Sequence, residues 1–455
     1  MPDWNPLSRD TRALWRLAGP IILSQVAQVL VSFLDTVMSG QAGAAEQAVV
    51  GIGVAIWIPA FIGLMSLVQA VSPIIAHHYG AGDRAAVVRD AREGVWLAAG
   101  VGLVPLMALP WLRSWLAAAG IDPVLAQRAA IFVWGIGVGL PAALVYRALA
   151  FYSASINQTR PIMALSFLGL AVNAVLNWVL IYGHFGLPAM GGAGCGWATG
   201  IGMWVSLLAL VAWTRLAPAY RDYFLWRAWH GPTWAVQRRL LRVGLPMGGA
   251  GLAEVAAFTS VAILVGRFGA VQIAAHQIAL NFSALTFMLP SGLATALTIR
   301  VGHALGAGHA RRARDIAWNG MAVGWFAAGA AIGPIVVLRH GVAAVYSADP
   351  AVQALAANLL LFAAFWQLFD ATQVCAIGAL RGYKVTLMPM VLMLVAFWAI
   401  GIPVGTWLGY VGVTGEPLKV YGFWIGLVVG LVFVSVCLVL ELRRVAGRVL
   451  ASGGL

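Results

Sequence analysis

The chain has 455 residues, 62% of them hydrophobic and only 9% charged, with a mean hydropathy of +0.89. No water-soluble globular domain needs that much apolar surface, so the composition is that of an integral membrane protein. The net charge of +13 does not point to nucleic acid, because a basic binding face is contiguous and solvated, whereas these arginines are strung between apolar runs.

The start, MPDWNPLSRDTRALWR, lacks the compact apolar stretch and small-residue cleavage site of a secretion signal, so the first span is expected to remain in the mature protein. Apolar runs long enough to cross about 30 Å of hydrocarbon lie at roughly 13–38, 48–74, 94–118, 127–151, 161–184 and 191–214. A second set lies at roughly 241–266, 273–299, 316–339, 352–378, 387–411 and 419–442. Backbone groups in lipid must be satisfied internally and no barrel-type alternation is present, so the reading is an all-α membrane protein of about twelve helices.

Basic residues mark the N-terminus and every second loop: Arg9 and Arg12; Arg84, Arg89 and Arg92; Arg160; Arg215, Arg221, Arg227, Arg238, Arg239 and Arg242. Arg311, Arg312 and Arg314, then Arg381 and Lys384, then Arg443, Arg444 and Arg448 continue the alternation. The positive-inside rule therefore places both termini in the cytoplasm of a multi-pass inner-membrane protein.

The longest basic connection, 215–240, divides the helices six and six. RLAGP ending at Pro20 answers RVGLP ending at Pro246, an offset of 226 (246 − 20). HYGAG ending at Gly82 answers ALGAG ending at Gly308, and GCGW around Gly196 answers VYGFW around Gly422, both at the same offset. The expected organisation is an N-terminal six-helix bundle (1–214), a basic cytoplasmic linker (215–240) and a C-terminal six-helix bundle (241–455). Parallel six-helix repeats are a recurrent transporter design with the site between the halves. Pro20, Pro59, Pro141, Pro246, Pro290 and Pro403 would each free a carbonyl and bend a helix.

Asp35, Glu254 and Asp370 lie inside apolar spans, where an ionised side chain costs roughly 3 kcal/mol on insertion scales and marks a functional position by default. Asp370 precedes Arg381 by eleven positions and Glu254 follows Arg242 by twelve, so both lie about 16–18 Å from the expected cytoplasmic boundary. Two carboxylates at one depth are suited to sharing a proton or a monovalent cation. Asp35 lies nearer the outer end of its span. Asn173 and Asn177, four apart on one helical face, offer it amide partners. Gln25, Gln28, Gln69, Tyr146, Gln277, Asn281 and Gln373 are further in-span polar residues, each more in keeping with interhelical packing than with a ligand site.

Cys195, Cys375 and Cys437 sit in apolar stretches without the spacing of a metal site or disulfide framework. The chain has no Walker A, HExxH or GxSxG motif, so an enzyme is not expected, and any active transport would have to draw its energy from an ion gradient.

The stretches LAGPIILSQ with FLDTVMSG, NAVLNWVLIYGHFGLP, AAHQIALNFSALTFMLPSGLATALTIRVGHALGAG, FDATQVCAIGALRGYK and YGFWIGL resemble the multidrug and toxic compound extrusion (MATE) family, in its NorM-like branch, over nearly the whole chain. The resemblance implies two six-helix bundles around a V-shaped cavity and export of cationic, often aromatic drugs in exchange for H⁺ or Na⁺. It matches Asp35, Glu254 and Asp370 to the family's coupling acids, and Asn173 and Asn177 to the asparagines that accompany the first. Where sodium-coupled members are expected to carry a tyrosine, four residues before the tenth-span aspartate, this chain has Trp366. Indole gives a cation no oxygen, and sodium prefers oxygen ligands, so protons become at least an equal expectation. The expected partners are small organic cations and the lipid bilayer, the expected state is monomeric, and no cofactor is expected beyond the coupling ion. A lipid-linked precursor flippase of the same superfamily is the alternative within transporters, and an integral membrane enzyme the alternative outside them.

Overall fold

The computed structural model describes residues 6–452 apart from 228 and 414; the polar start at 1–5 and the side chain of Arg9 lie outside the described residues. Among these residues there are helices and no strands. Twelve helical segments are long and apolar enough to cross a bilayer. They are α1 (Asp10–Ala42), α2 (Ala44–Gly80), α3 (Arg84–Ala118), α4 (Pro123–Ser155), α5 (Arg160–Tyr182) and α6 (Gly192–Leu216). The second six are α7 (Trp234–Gly266), α8 (Ala270–Gly306), α9 (Ala310–Tyr346), α10 (Pro350–Gly382), α11 (Leu387–Tyr410) and α12 (Val420–Ala451).

Several helices outrun their apolar windows because local capping decides where they start. Asp83 accepts a hydrogen bond from the Ala86 amide at 2.9 Å and so opens α3 ten residues before its apolar stretch. Asp122 caps α4 and Asp349 caps α10 in the same way, each followed by a proline at the first helical position. These three carboxylates are thereby accounted for by local structure. Prolines are carried inside helices, as expected, at Pro20, Pro59, Pro141, Pro246 and Pro290. In α11 a π-helical turn, Val395–Gly401, precedes Pro403 and absorbs its missing N–H.

The internal repeat is visible in the backbone. Gly82 and Gly308 end α2 and α8 with φ of 73° and 75°, a region open to glycine at little cost. In each case a helix-ending bond reaches back five residues, Asp83 N to His78 O at 3.0 Å and His309 N to Ala304 O at 2.8 Å. Gly196 and Gly422 are both sites of close backbone approach: a Cβ there would lie 2.7 Å from the Phe132 carbonyl carbon and 2.6 Å from that of Leu408.

By compactness the chain forms two units, one of Met1–Ile22 with Gly249–Leu455 and the other of Leu23–Gly248. The divisions fall inside α1 and α7, two residues past Pro20 and Pro246, and share the repeat offset of 226 (248 − 22). Each unit thus takes in the first turns of the other repeat's leading helix, and polar contacts explain why. In the first unit Asp10, at the start of α1, accepts from Arg300 on α8 at 2.7 Å and from Arg312 on α9 at 3.2 Å.

In the second unit the start of α7 is bound to α3. Both Glu93 oxygens accept from the Thr233 amide, at 2.8 and 3.0 Å, and Gln237 Nε2 donates to Oε2 at 2.6 Å. Arg239 pairs with Asp90 at 2.5 Å. The linker residues before it are held as well: Arg92 donates to the carbonyls of Leu225, at 2.7 Å, and Arg227, and Trp96 Nε1 donates to His230 O at 2.8 Å. The 215–240 connection is therefore a strap docked on α3, and its last residues, from Trp234, are already helix.

Candidate functional site

In the second unit Asp35 of α1 is 8% exposed and lies between α5 and α6. Asn177 Nδ2 donates to its Oδ1 at 2.5 Å, and Thr199 Oγ1 donates to its Oδ2 at 3.2 Å. Asn173 Nδ2 donates to Thr199 Oγ1 at 3.1 Å, and Asn177 also donates to Asn173 Oδ1 at 3.0 Å. Both carboxylate oxygens accept, one from Asn177 and one from Thr199, which is the pattern of an ionised acid. No Lys, Arg or His nitrogen lies within 4.0 Å of it among the described residues. The structure thus joins Asp35, Asn173 and Asn177 as the sequence suggests, and adds Thr199. A lone threonine inside a span carries no sequence signal, because its hydroxyl can always be satisfied by its own helix.

The first unit holds Glu254 on α7 and Asp370 on α10. Asp370 is 5% exposed and Glu254 half-buried. The charge of Glu254 acts on Asp370, and the charge of Arg381, eleven residues along α10, acts on Glu254. Neither acid has a hydrogen bond or an ion pair within 4.0 Å among the described residues. That separates them from Asp90 and Glu93, which are 0% exposed but fully partnered. One turn past Asp370, the Gln373 side-chain oxygen is buried without a partner, an acceptor matched to an O–H donor such as a protonated carboxyl group.

One turn further along each helix, on the side away from Arg381, an aromatic layer covers this pair. Phe258 follows Glu254 by four residues, Trp366 precedes Asp370 by four, and their rings lie 5.8 Å apart. Trp366 also meets Trp424 edge-on at 6.2 Å, and Phe258 meets Phe397 at 5.7 Å. Trp424 Nε1 donates to His276 Nδ1 at 3.2 Å, which leaves the imidazole proton on Nε2, itself buried without an acceptor. Trp366 is therefore packed among rings and brings no oxygen to the acids.

Among the other in-span polar residues, Tyr146 lies 3.5 Å from Ser166 Oγ on α5, an interhelical contact of the expected kind. Gln28 instead accepts from Arg147 of α4. The sequence pattern of basic loops and acidic spans does not reveal that arginine.

Twelve helices long and apolar enough to span a bilayer, arranged as two sequence repeats with acids inside the spans, have the architecture of a multi-pass membrane transporter. The chain belongs to the MatE family, whose profile matches it twice, at residues 20–179 and 246–407, once per repeat and again 226 positions apart. It is 42% identical over 444 residues to the probable multidrug resistance protein NorM of Chromobacterium violaceum, covering 96% of this chain and 95% of that one. It is also 42% identical over 450 residues to the multidrug resistance protein PmpM of Pseudomonas aeruginosa, covering 97% and 94%. Among solved structures it superposes on the eukaryotic MATE transporter AtDTX14 with a TM-score of 0.86 at 20% identity, over 98% of this chain and 100% of that one. A MATE structure in a bent conformation gives 0.87 at 18% identity, over 98% and 97%. At those identities the likeness concerns the fold alone.

Proposed function

We propose that this chain is a multidrug efflux antiporter of the bacterial inner membrane that exports organic cations in exchange for protons. The observation that supports the ion is the setting of Glu254 and Asp370: two carboxyl groups in one unit, the first bearing on the second, with no hydrogen-bond donor supplied to either among the described residues. Sodium would need a shell of oxygens, and the place beside Asp370 is filled by an indole; a proton needs only one acid and one acceptor. The names of the NorM and PmpM relatives support drugs as the cargo.

In this reading the outward-open form takes protons onto the acids, neutralisation favours the return inward, and a cationic substrate then binds where the acids are again charged. The cycle is coupled because an effector moves a two-state equilibrium only through its differential affinity for the two states. Asp35, whose network already stabilises the anion, is the acid that attracts the cationic substrate, while Glu254 and Asp370 exchange the proton.

Ethidium efflux from proteoliposomes tests this under a proton gradient and a sodium gradient imposed separately. The proton gradient alone is expected to drive efflux, and Asp35→Asn, Glu254→Gln and Asp370→Asn are each expected to reduce it to background. Efflux driven by sodium alone would overturn the ion assignment. Full activity in all three variants would overturn the role of the acids.

A further inference from the structure

Arg147 is a cation that the proposed cycle does not use. It lies eight positions before the end of α4, roughly 12 Å along the helix. Its Nη2 donates to Gln28 Oε1 of α1, and no Asp or Glu lies within 4.0 Å of it among the described residues. A guanidinium has five N–H donors in a planar fork, and the one acceptor given to it here is a neutral amide. Charge inside a span costs roughly 3 kcal/mol on insertion scales and is retained where it lines a path for substrate or ion.

Arg147 is also part-exposed. α4 is the most enclosed of the twelve spans, and over residues 141–156 only Val145, Arg147 and Phe151 are part-exposed. Arg147 and Phe151 stand one turn apart, so this edge of a central helix presents a guanidinium next to a phenyl ring. Gln28, which holds Arg147, lies seven residues before Asp35 on α1, two turns along the same face and about 10 Å away by helical rise. One unit therefore offers a carboxylate with no counter-charge within 4.0 Å and, held to α1 two turns away, a guanidinium with none.

We propose that Arg147 is a specificity-determining residue that takes the carboxylate of zwitterionic aromatic substrates whose positive charge is held at Asp35. The inference rests on the efflux reading above. The Arg fork binds a carboxylate through two parallel hydrogen bonds, which a lysine cannot reproduce.

The free acid and the methyl ester of one rhodamine dye differ only in that carboxylate, so transport of both by the same proteoliposomes isolates it. The wild type is expected to move both dyes. Arg147→Gln is expected to raise KM for the free acid by about tenfold, equivalent to about 1.4 kcal/mol, and to leave KM for the ester within about twofold. Arg147→Lys should fall between the wild type and Arg147→Gln, because the charge stays but the fork is lost. Equal losses on both dyes would make Arg147 a structural residue and overturn the inference, as would an unchanged KM for the free acid in Arg147→Gln. Wild-type protein that moves the ester but not the free acid also overturns it, while failure to move the ester refutes the efflux reading itself.

Discussion

Glu93 gives the most direct handle on how the two repeats are joined. Its carboxylate is 0% exposed and accepts from the Thr233 amide and from Gln237 Nε2, at distances between 2.6 and 3.0 Å. Glu93→Gln keeps the shape but turns one acceptor into an NH₂ that faces other donors. Hydrogen bonds to charged groups contribute about 1.5–3 kcal/mol each, so losing the charge and at least one bond should weaken the docking of the strap by about 3 kcal/mol. At 1.4 kcal/mol per tenfold, the Thr233 amide should then exchange hydrogen about a hundredfold faster, with helix α10 unchanged as an internal control. Hydrogen exchange read by mass spectrometry on peptides covering 229–240 reports this. Unaltered exchange at Thr233 in a normally expressed Glu93→Gln protein would refute the account of the strap as held by buried charge. If the account holds, the 215–240 segment moves with the second unit.

Trp366→Tyr places a phenolic oxygen one turn from Asp370, and efflux driven by a sodium gradient should appear in that variant where the wild type has none; a variant indifferent to sodium would mean that the indole is not what excludes it. Gly82→Ala and Gly308→Ala should each cost about 1–2 kcal/mol, because an added Cβ meets nothing within 4 Å at either site and only the left-handed backbone is penalised. The two variants should lower the thermal midpoint by equal amounts, and a clear difference between them would show that the two turns are not equivalent.

Much of this molecule was legible in its sequence. The twelve helices, the 226-residue repeat and the cost of burying Asp35, Glu254 and Asp370 all follow from hydropathy, from glycine and proline, and from the requirement that a backbone in lipid bond to itself. Those are properties of a segment and its solvent, so they need no knowledge of neighbours. The pairing of Asn177 with Asp35 was within reach because two asparagines four apart must share a face. Other features depended on which helices pack together. Asp90 and Glu93 look like loop-end charges until Thr233, Gln237 and Arg239 arrive from 140 or more residues away. Thr199 becomes part of the Asp35 network only because α6 lies against α1, and Arg381, which in sequence marks a membrane boundary, acts on Glu254 only in the fold. The divisions after Ile22 and Gly248 likewise run through two continuous helices that composition reads as single elements. Hydropathy and position in a span are enough to say which side chains are costly to bury; which of them find partners depends on how the helices pack, because a partner is set by distance between groups far apart in the chain.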